Sequence, residues 1–183
     1  WVNGVRYETN AGTSFIRDDN PSSETEFEVG ETVIVKGRID DDNTNAVAET
    51  VELDELVKGP ATTAAGSTAV IMGQTVNASV TNTSIDDSCT GVTFDNLSGL
   101  TGFFAVEVYG TVATDGSIDA TRIECKTAAD FVDDEFEVNG IVSDLTATTF
   151  MINGLQVDYS TTMSIDNFPN SQISEGDPVE VKG

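Results

Sequence analysis

The sequence of 183 residues contains no histidine. Histidine is the side chain whose ordinary pKa lies near neutral pH, and it is the commonest general base and transition-metal ligand. G-x-S-x-G and S-x-x-K motifs are also missing, and the glycine spacing fits neither a P-loop nor a dinucleotide fingerprint. The sequence therefore predicts a protein that is not an enzyme, with no catalytic residue and no organic cofactor.

Basic residues are scarce. The chain has 8 Lys and Arg against 32 Asp and Glu, a formal net charge of −24. Such a chain repels phosphate backbones and anionic lipid surfaces, so nucleic acid and membranes are poor partners. Because the acidic residues are spread along the whole chain, a solvated acidic surface is the favoured interpretation, and collection of divalent cations is the alternative.

Long apolar runs are absent, and cysteine is rare. No stretch of eighteen apolar residues occurs, so membrane insertion is not expected. Cys89 and Cys125 are the only cysteines and do not form a C-x-x-C motif. They predict a structural disulfide and hence an oxidising, extracellular or cell-surface location, whereas two buried free thiols in a cytosolic protein are the alternative.

What the sequence does contain is an internal repeat. A V-x-V-x-G pattern occurs at residues 33–37, 106–110 and 179–183, and its closing glycines lie 73 residues apart both times. The alternation predicts a half-buried strand that ends in a turn at the glycine. The valines are expected to face inward: Val33, Val35, Val106, Val108, Val179 and Val181. The intervening residues are expected to face outward: Lys36, Glu107, Tyr109, Glu180 and Lys182.

Further segments recur around this pattern. Similar hairpin sequences with a central glycine occupy residues 1–7, 70–76 and 151–157, a V-x-G strand occupies 57–59 and 138–140, and a last strand occupies 48–53 and 120–125. One repeat therefore holds about five strands, which a small closed barrel would protect from edge pairing. The predicted fold is all-β, with tandem five-stranded OB-like barrels.

The repeat register predicts three domains. They span residues 1–54, which lack the first strand, 55–127, which are complete, and 128–183, which lack the last strand. An incomplete barrel leaves unpaired backbone groups that are a template for strand addition. We therefore expect the partners to be other copies of the chain or neighbouring repeats of a longer one.

Residues 136–183 carry a resemblance to a known family. The sequences FEVNG (136–140), TFMINGLQVDYS (149–160) and ISEGDPVEVKG (173–183) resemble the bacterial family called domain of unknown function 5666. The resemblance implies small OB-like β-domains that recur in tandem in exported proteins. It implies no catalytic residue, because the matching motifs consist of strand ends and glycines.

Two acidic loops are weak calcium candidates. Asp40 and Asp42 belong to a DDDNTN sequence, and Asp115 and Asp119 lie in the equivalent DGSID loop. Neither loop has the central glycine and distal glutamate of an EF-hand. Tight turns favour the same residue types, so the loops are equally explained without an ion.

The sequence thus predicts a non-catalytic structural or adhesive module of an exported surface protein or extracellular filament. A calcium- or glycan-binding extracellular module is the alternative.

Overall fold

A computed structural model describes residues 5–39, 45–132, 134–161 and 164–183. The chain divides into two compact units, Trp1–Asp54 (unit 1) and Glu55–Gly183 (unit 2). Strands and short 3-10 turns make up its regular structure. In the described ranges, no helix is long and apolar enough to span a membrane.

Unit 1 is built around one long strand. Its strands are β1 (Arg6–Glu8), β2 (Ser14–Arg17), β3 (Asn20–Ser22), β4 (Val33–Ile39) and β5 (Asn45–Leu53). Strand β5 pairs in parallel with β1 and β2 on one edge and antiparallel with β4 on the other, while β3 pairs with β2. The β2–β3 turn is tight because Asp18 and Asp19 both have positive φ, a conformation that aspartate tolerates better than most residues.

Unit 2 holds the second and third repeats. Its first seven strands are β6 (Val57–Gly59), β7 (Ala61–Ala65), β8 (Thr68–Ile71), β9 (Gln74–Asn77), β10 (Ser84–Ile85), β11 (Ala105–Val112) and β12 (Ile118–Lys126). The remaining four are β13 (Glu137–Ile141), β14 (Thr149–Ile152), β15 (Leu155–Asp158) and β16 (Pro178–Lys182).

One large sheet connects the two repeats of unit 2. Its strands follow the order β16-β13-β6-β11-β12-β9-β8-β7, with β10 also beside β12. The junction is the antiparallel pair β6–β13, in which the V-x-G strands of the two repeats lie side by side. Strands β14 and β15 form a separate hairpin.

The core of unit 2 lies on one face of this sheet. Five apolar residues stand opposite one another across β16, β13, β6, β11 and β12, and all belong to or pack against the core cluster: Val181, Val138, Val57, Val108 and Ile123. Burying such side chains stabilises a fold by about 1.5–3 kcal/mol each. A continuous apolar row therefore joins the two repeats across their junction.

The glycines that close the first two V-x-V-x-G patterns do not end a strand. Strands β4 and β11 continue through Gly37 and Gly110, and both have a β-bulge there against β5 and β12. A Cβ at Gly37 would lie 2.2 Å from the Val47 carbonyl oxygen, and one at Gly110 would lie 2.4 Å from that of Asp119. The predicted turn was wrong, because glycine in a strand serves the close backbone approach of a bulge equally well.

The predicted inward positions are occupied by buried or half-buried valines, and Lys36, Glu180 and Lys182 are exposed as predicted. The prediction was wrong for Glu107 and Tyr109, which are 4% and 0% exposed. Alternation places a side chain on the second face of a sheet, but it does not establish that this face meets solvent.

The all-β prediction is confirmed, and the sheets are curled. Closed five-stranded OB-like barrels stay a prediction. The described structure has one compact unit for residues 1–54, whereas the repeats expected at 55–127 and 128–183 share a second unit.

Candidate functional site

The second face of the unit 2 sheet carries a line of charged residues. Directly opposite one another across β16, β13, β6, β11 and β12 stand Lys182, Glu137, Lys58, Glu107 and Glu124. We call these five residues the charged row. Lysine and glutamate alternate over the first four positions, and such cross-strand pairs stabilise a sheet. The row crosses the junction between the two repeats.

At the end of the charged row that lies in the second repeat, two basic side chains contact the glutamates. Lys126 Nζ lies 3.2 Å from Glu107 Oε2 and 3.7 Å from Glu124 Oε2. Arg122 contacts Glu124 Oε1 through Nε and Asp86 Oδ2 through Nη2, each at 2.6 Å. Because the Arg122 side chain is 6% exposed, these contacts replace most of the water that its guanidinium loses on folding.

At the other end of the charged row, two lysines contact acidic side chains. Lys58 Nζ lies 2.6 Å from Glu55 Oε1 and 3.0 Å from Asp134 Oδ1, and its side chain is 3% exposed. Lys182 Nζ lies 3.6 Å from Glu137 Oε2. Removing one partner of a buried ion pair leaves an uncompensated charge, which destabilises a protein by about 3–5 kcal/mol. The row is therefore sensitive to any change of sign.

Half of the chain's basic residues lie in or beside the charged row, namely Lys58, Arg122, Lys126 and Lys182 among eight in all. Sequence patterns alone did not predict this arrangement. The sequence does contain an indication of it, because these four of its few basic residues all fall within the repeated strands.

Burial changes the acidity of two members. It raises the pKa of Glu107 to about 7, against the opposing attraction of Lys126, and Glu55 adds repulsion. It also raises the pKa of Glu137 to about 9, with further increases from hydrogen bonding to Glu180 and from the Glu55 charge. The Glu107 and Glu137 side chains are 5% and 2% exposed, so these carboxyl groups are closed to substrates and act within the sheet.

We expect unit 2 to lose stability as pH rises from 4.5 towards 9. Glu107 and Glu137 keep protons in the folded state that they release near pH 4.5 when unfolded, so deprotonation at higher pH favours unfolding. Hydrogen bonds from Ser117 and Ser160 lower the pKa of Asp115 and Asp158, which therefore titrate below this window. Urea denaturation at several pH values measures the effect.

The matched variant is Glu107→Gln combined with Glu137→Gln, which should flatten the decline. A wild-type free energy of unfolding that stays constant or increases across this range would contradict the assigned acidity.

A second contact joins the repeats at their hairpin turns. The turn Met72-Gly73 meets the turn Asn153-Gly154, and the Gly154 amide donates a hydrogen bond to the Gly73 carbonyl at 3.2 Å. A Cβ at Gly73 would lie 2.5 Å from the backbone carbon of Gly154 and from the backbone nitrogen of Leu155. The hairpin glycines of the repeat therefore permit two backbones to touch.

Two side-chain amides, one of them buried, stabilise this contact. Gln74 Nε2 donates to the carbonyl oxygens of Met72 at 3.1 Å and Ile152 at 3.0 Å. Asn153 Nδ2 donates to Gln74 Oε1 at 2.6 Å and to the Gly116 carbonyl at 3.2 Å. Gln74 is 1% exposed, so its hydrogen bonds are made without competition from water.

A polar cleft of about 300 Å³ opens beside the hairpin turns. It is lined by Gly73, Thr75, Asp115, Gly116, Ser117, Asn153 and Gly154. Asp115 Oδ1 accepts hydrogen bonds from the Ser117 amide at 3.0 Å and hydroxyl at 2.7 Å, which lower the pKa of Asp115. The cleft offers hydroxyl, amide and carboxylate groups to a ligand.

The calcium candidates have different outcomes. Asp40 and Asp42 lie outside the described residues. Asp115 lines the cleft, while Asp119 is exposed on β12 opposite Thr111. Within residues 5–39, 45–132, 134–161 and 164–183, no three carboxylate, thiol or imidazole side chains come together in a way that could hold a metal ion. Calcium binding stays a prediction.

The two cysteines form a disulfide. Cys89, in the long loop after β10, is bonded to Cys125 on β12, and both residues are 3% exposed. The link encloses 36 residues of the second repeat. Closing a loop of this size stabilises a protein by about 4 kcal/mol in the chain-entropy model.

Comparison with known proteins identifies a family. No curated protein and no solved structure matches the chain. The family model described as a domain of unknown function (DUF5666) matches residues 1–52, 58–124 and 139–183. These segments follow the three repeats and cover most of the sequence, so the chain belongs to the DUF5666 family as a tandem array of three matches.

Proposed function

We propose that the chain is a non-catalytic, load-bearing structural module of an exported protein. The observation that carries this proposal is the arrangement of the first and last strands of unit 2. Strand β13 lies between β6 and β16 and is antiparallel to both. Strands β6 and β16 are therefore parallel, and tension on the two ends of unit 2 pulls them in opposite directions along their own axes.

This geometry loads the sheet in shear. When parallel end strands are pulled lengthwise, all the hydrogen bonds that hold them resist together, whereas strands pulled apart from one end lose their bonds one after another. Resistance to forced unfolding depends on the unfolding rate, so bonds that must break together give a high barrier.

Side-chain contacts reinforce the same three strands. The charged row places Lys182, Glu137 and Lys58 across β16, β13 and β6. Asn139 Nδ2 donates to the Glu55 carbonyl at 2.8 Å, and the Asn139 amide donates to the Leu56 carbonyl at 3.0 Å. The entry to β6 is thus tied to β13 before the strand begins.

The remaining features agree with an exposed location. The Cys89–Cys125 disulfide is typical of proteins that fold in an oxidising compartment. The net charge of −24 keeps copies apart in solution and disfavours adhesion to anionic surfaces. An extracellular or cell-surface position is therefore part of the proposal.

Single-molecule force measurements on the full chain test the proposal. With tethers at residues 1 and 183, we expect a high-force event for unit 2. Adding reductant should increase the contour length released in that event by the 36 residues that the disulfide encloses. This increase identifies the event as the unfolding of unit 2.

The matched control moves one tether to Asp130, in the segment between β12 and β13. Glu137 and Lys182 stand opposite each other at one end of the β13–β16 pair, so tethers at Asp130 and Gly183 unzip this pair from that end. We expect a force several-fold lower than in the shear geometry. Equal unfolding forces in the two tether geometries, or unfolding of unit 2 at low force in the first one, would overturn the load-bearing function.

The polar cleft supports a second candidate, binding of calcium or a glycan. Asp115, Ser117 and Asn153 present carboxylate, hydroxyl and amide groups on a glycine floor, the chemistry that recognises sugar hydroxyls or a hard cation. A ligand bound to the folded state raises the melting temperature by mass action. Melting curves with calcium chloride, and separately with simple sugars, test this candidate, and unchanged curves would contradict it.

A further inference from the structure

Strand β4 of unit 1 is the counterpart of β11 and β16. It has the same V-x-V pattern at an offset of 73 residues, and its bulge at Gly37 repeats the one at Gly110. Strand β5 covers one edge of β4, as β12 covers one edge of β11. The surroundings of β11 and β16 therefore indicate what the other edge of β4 accommodates.

In both repeats of unit 2 a V-x-G strand occupies the corresponding position. Val108 stands opposite Val57 and Val106 opposite Gly59. In the third repeat Val181 stands opposite Val138, and Val179 opposite Gly140. The register is the same in the two repeats, so the position accepts one specific kind of strand.

The equivalent edge of β4 has no partner strand in the part of the chain that the structure describes. Of the residues that the structure describes, only those of β5 pair with β4. Val33 and Val35 are half-buried, whereas their counterparts Val106 and Val108 are 0% exposed. Ile34 is 59% exposed. An unpaired edge with apolar side chains is a template for another strand.

The cations of β4 do not block this edge. Lys36 Nζ is 2.8 Å from Glu52 Oε2, and Arg38 Nε is 2.9 Å from Glu49 Oε1. Both partners belong to β5, so these side chains are engaged across the strand pair that already exists. The usual protection of an edge by free lysines is therefore weak here.

We propose that β4 is an acceptor for an antiparallel V-x-G strand supplied by another repeat of this family. In the bound register the valine of the incoming strand stands opposite Val35, its glycine opposite Val33, and its central residue opposite Ile34. This pairing extends unit 1 by β-augmentation, in which backbone hydrogen bonds give affinity and side-chain pairs give specificity. It does not depend on whether the chain bears load.

The probe is a synthetic peptide with the sequence of Glu55–Ala61, added to the full chain. We expect hydrogen exchange to slow at the amides of residues 33–37 when the peptide is present. A scrambled peptide is the control. Absence of protection in β4, or protection equal to that of β11 in the free monomeric chain, would overturn the proposal, since in the second case the edge is already covered.

A charge exchange tests the register. The central residue of the peptide corresponds to Lys58, so Ile34→Glu should strengthen binding and Ile34→Lys should weaken it, by about two- to fivefold each. A peptide carrying Lys58→Glu should reverse both effects. Ile34 is exposed and stands opposite Glu52, so Ile34→Glu should weaken unit 1 slightly, and neither variant should unfold it.

Effects that do not reverse would show that Ile34 and the central peptide residue are not opposite each other, which contradicts the register. Protection of β4 without peptide, through self-association in which β4 pairs with β4 of a second copy, would show that the occupant is not a V-x-G strand and would overturn the proposal as well.

Discussion

Gly73→Ala should destabilise unit 2 by about 2–5 kcal/mol, because a left-handed backbone costs about 1–2 kcal/mol for alanine and overpacking adds about 1–3. Gly73 has φ +75°, and its Cβ would lie 2.5 Å from backbone atoms of Gly154 and Leu155. Backbone atoms cannot rotate away as a side chain can. Relief of the clash therefore separates the two hairpin turns.

Two other glycines separate the causes of this effect. Gly66 has φ +57° with nothing within 4 Å of its Cβ position, so Gly66→Ala carries only the backbone penalty. Gly154 has no positive φ, but its Cβ would lie 2.7 Å from the Gly73 carbonyl oxygen, so Gly154→Ala carries only the clash. Urea denaturation of the full chain compares the three. Equal losses at Gly73 and Gly66 would contradict the hairpin contact.

Glu107→Lys should destabilise unit 2 by about 3–5 kcal/mol, the usual result of an uncompensated buried charge. The new cation would stand opposite Lys58 and beside Lys126, whose Nζ is 3.2 Å from Glu107 Oε2. Glu107→Gln keeps the size of the side chain and should not destabilise unit 2 at pH 7, because glutamine cannot lose a proton on unfolding as Glu107, with its folded pKa of about 7, does.

The third repeat supplies the matched control. Glu180 is the counterpart of Glu107 at the 73-residue offset, but it is exposed. Glu180→Lys should therefore cost less than about 1 kcal/mol, as expected for an exposed ion pair. Thermal denaturation followed by circular dichroism measures both variants. Equal sensitivity at the two positions would refute the difference in burial between the repeats.

The sequence was sufficient to predict two hairpins of unit 2 and its V-x-G, V-x-V and 120–125 strands, but not β7 and β10. Gly73 and Gly154 correctly indicated hairpin turns. In both turns the residue before the glycine, Met72 or Asn153, takes positive φ. Gly37 and Gly110 were assigned to turns and proved to be bulges, since both structures demand a missing Cβ. A glycine in the local sequence indicates that a position has no room for a Cβ atom. It does not indicate which neighbouring backbone occupies that space.

The candidate sites were harder to predict. Period-two alternation placed Glu107 on the second face of the sheet, which is correct, but its burial depends on partners distant in sequence such as Lys58 and Lys126. The pairing of β6 with β13 joins residues that the repeat makes equivalent, and no local pattern distinguishes this pairing from a pairing within one repeat. Asp115 was singled out as a calcium ligand and lies in the polar cleft.

The β6–β13 contact has a consequence for how repeats that pair in this way can be joined into longer arrays. Val57 stands opposite Val138 and Lys58 opposite Glu137, so equivalent strands meet each other in an isologous arrangement. Such a contact is closed: once two repeats have used it, neither can offer it again. A polymer cannot propagate through it alone, and extension requires a second, heterologous kind of joint. With an even number of repeats, every V-x-G strand can pair with the V-x-G strand of another repeat. An odd number leaves one V-x-G strand without such a partner.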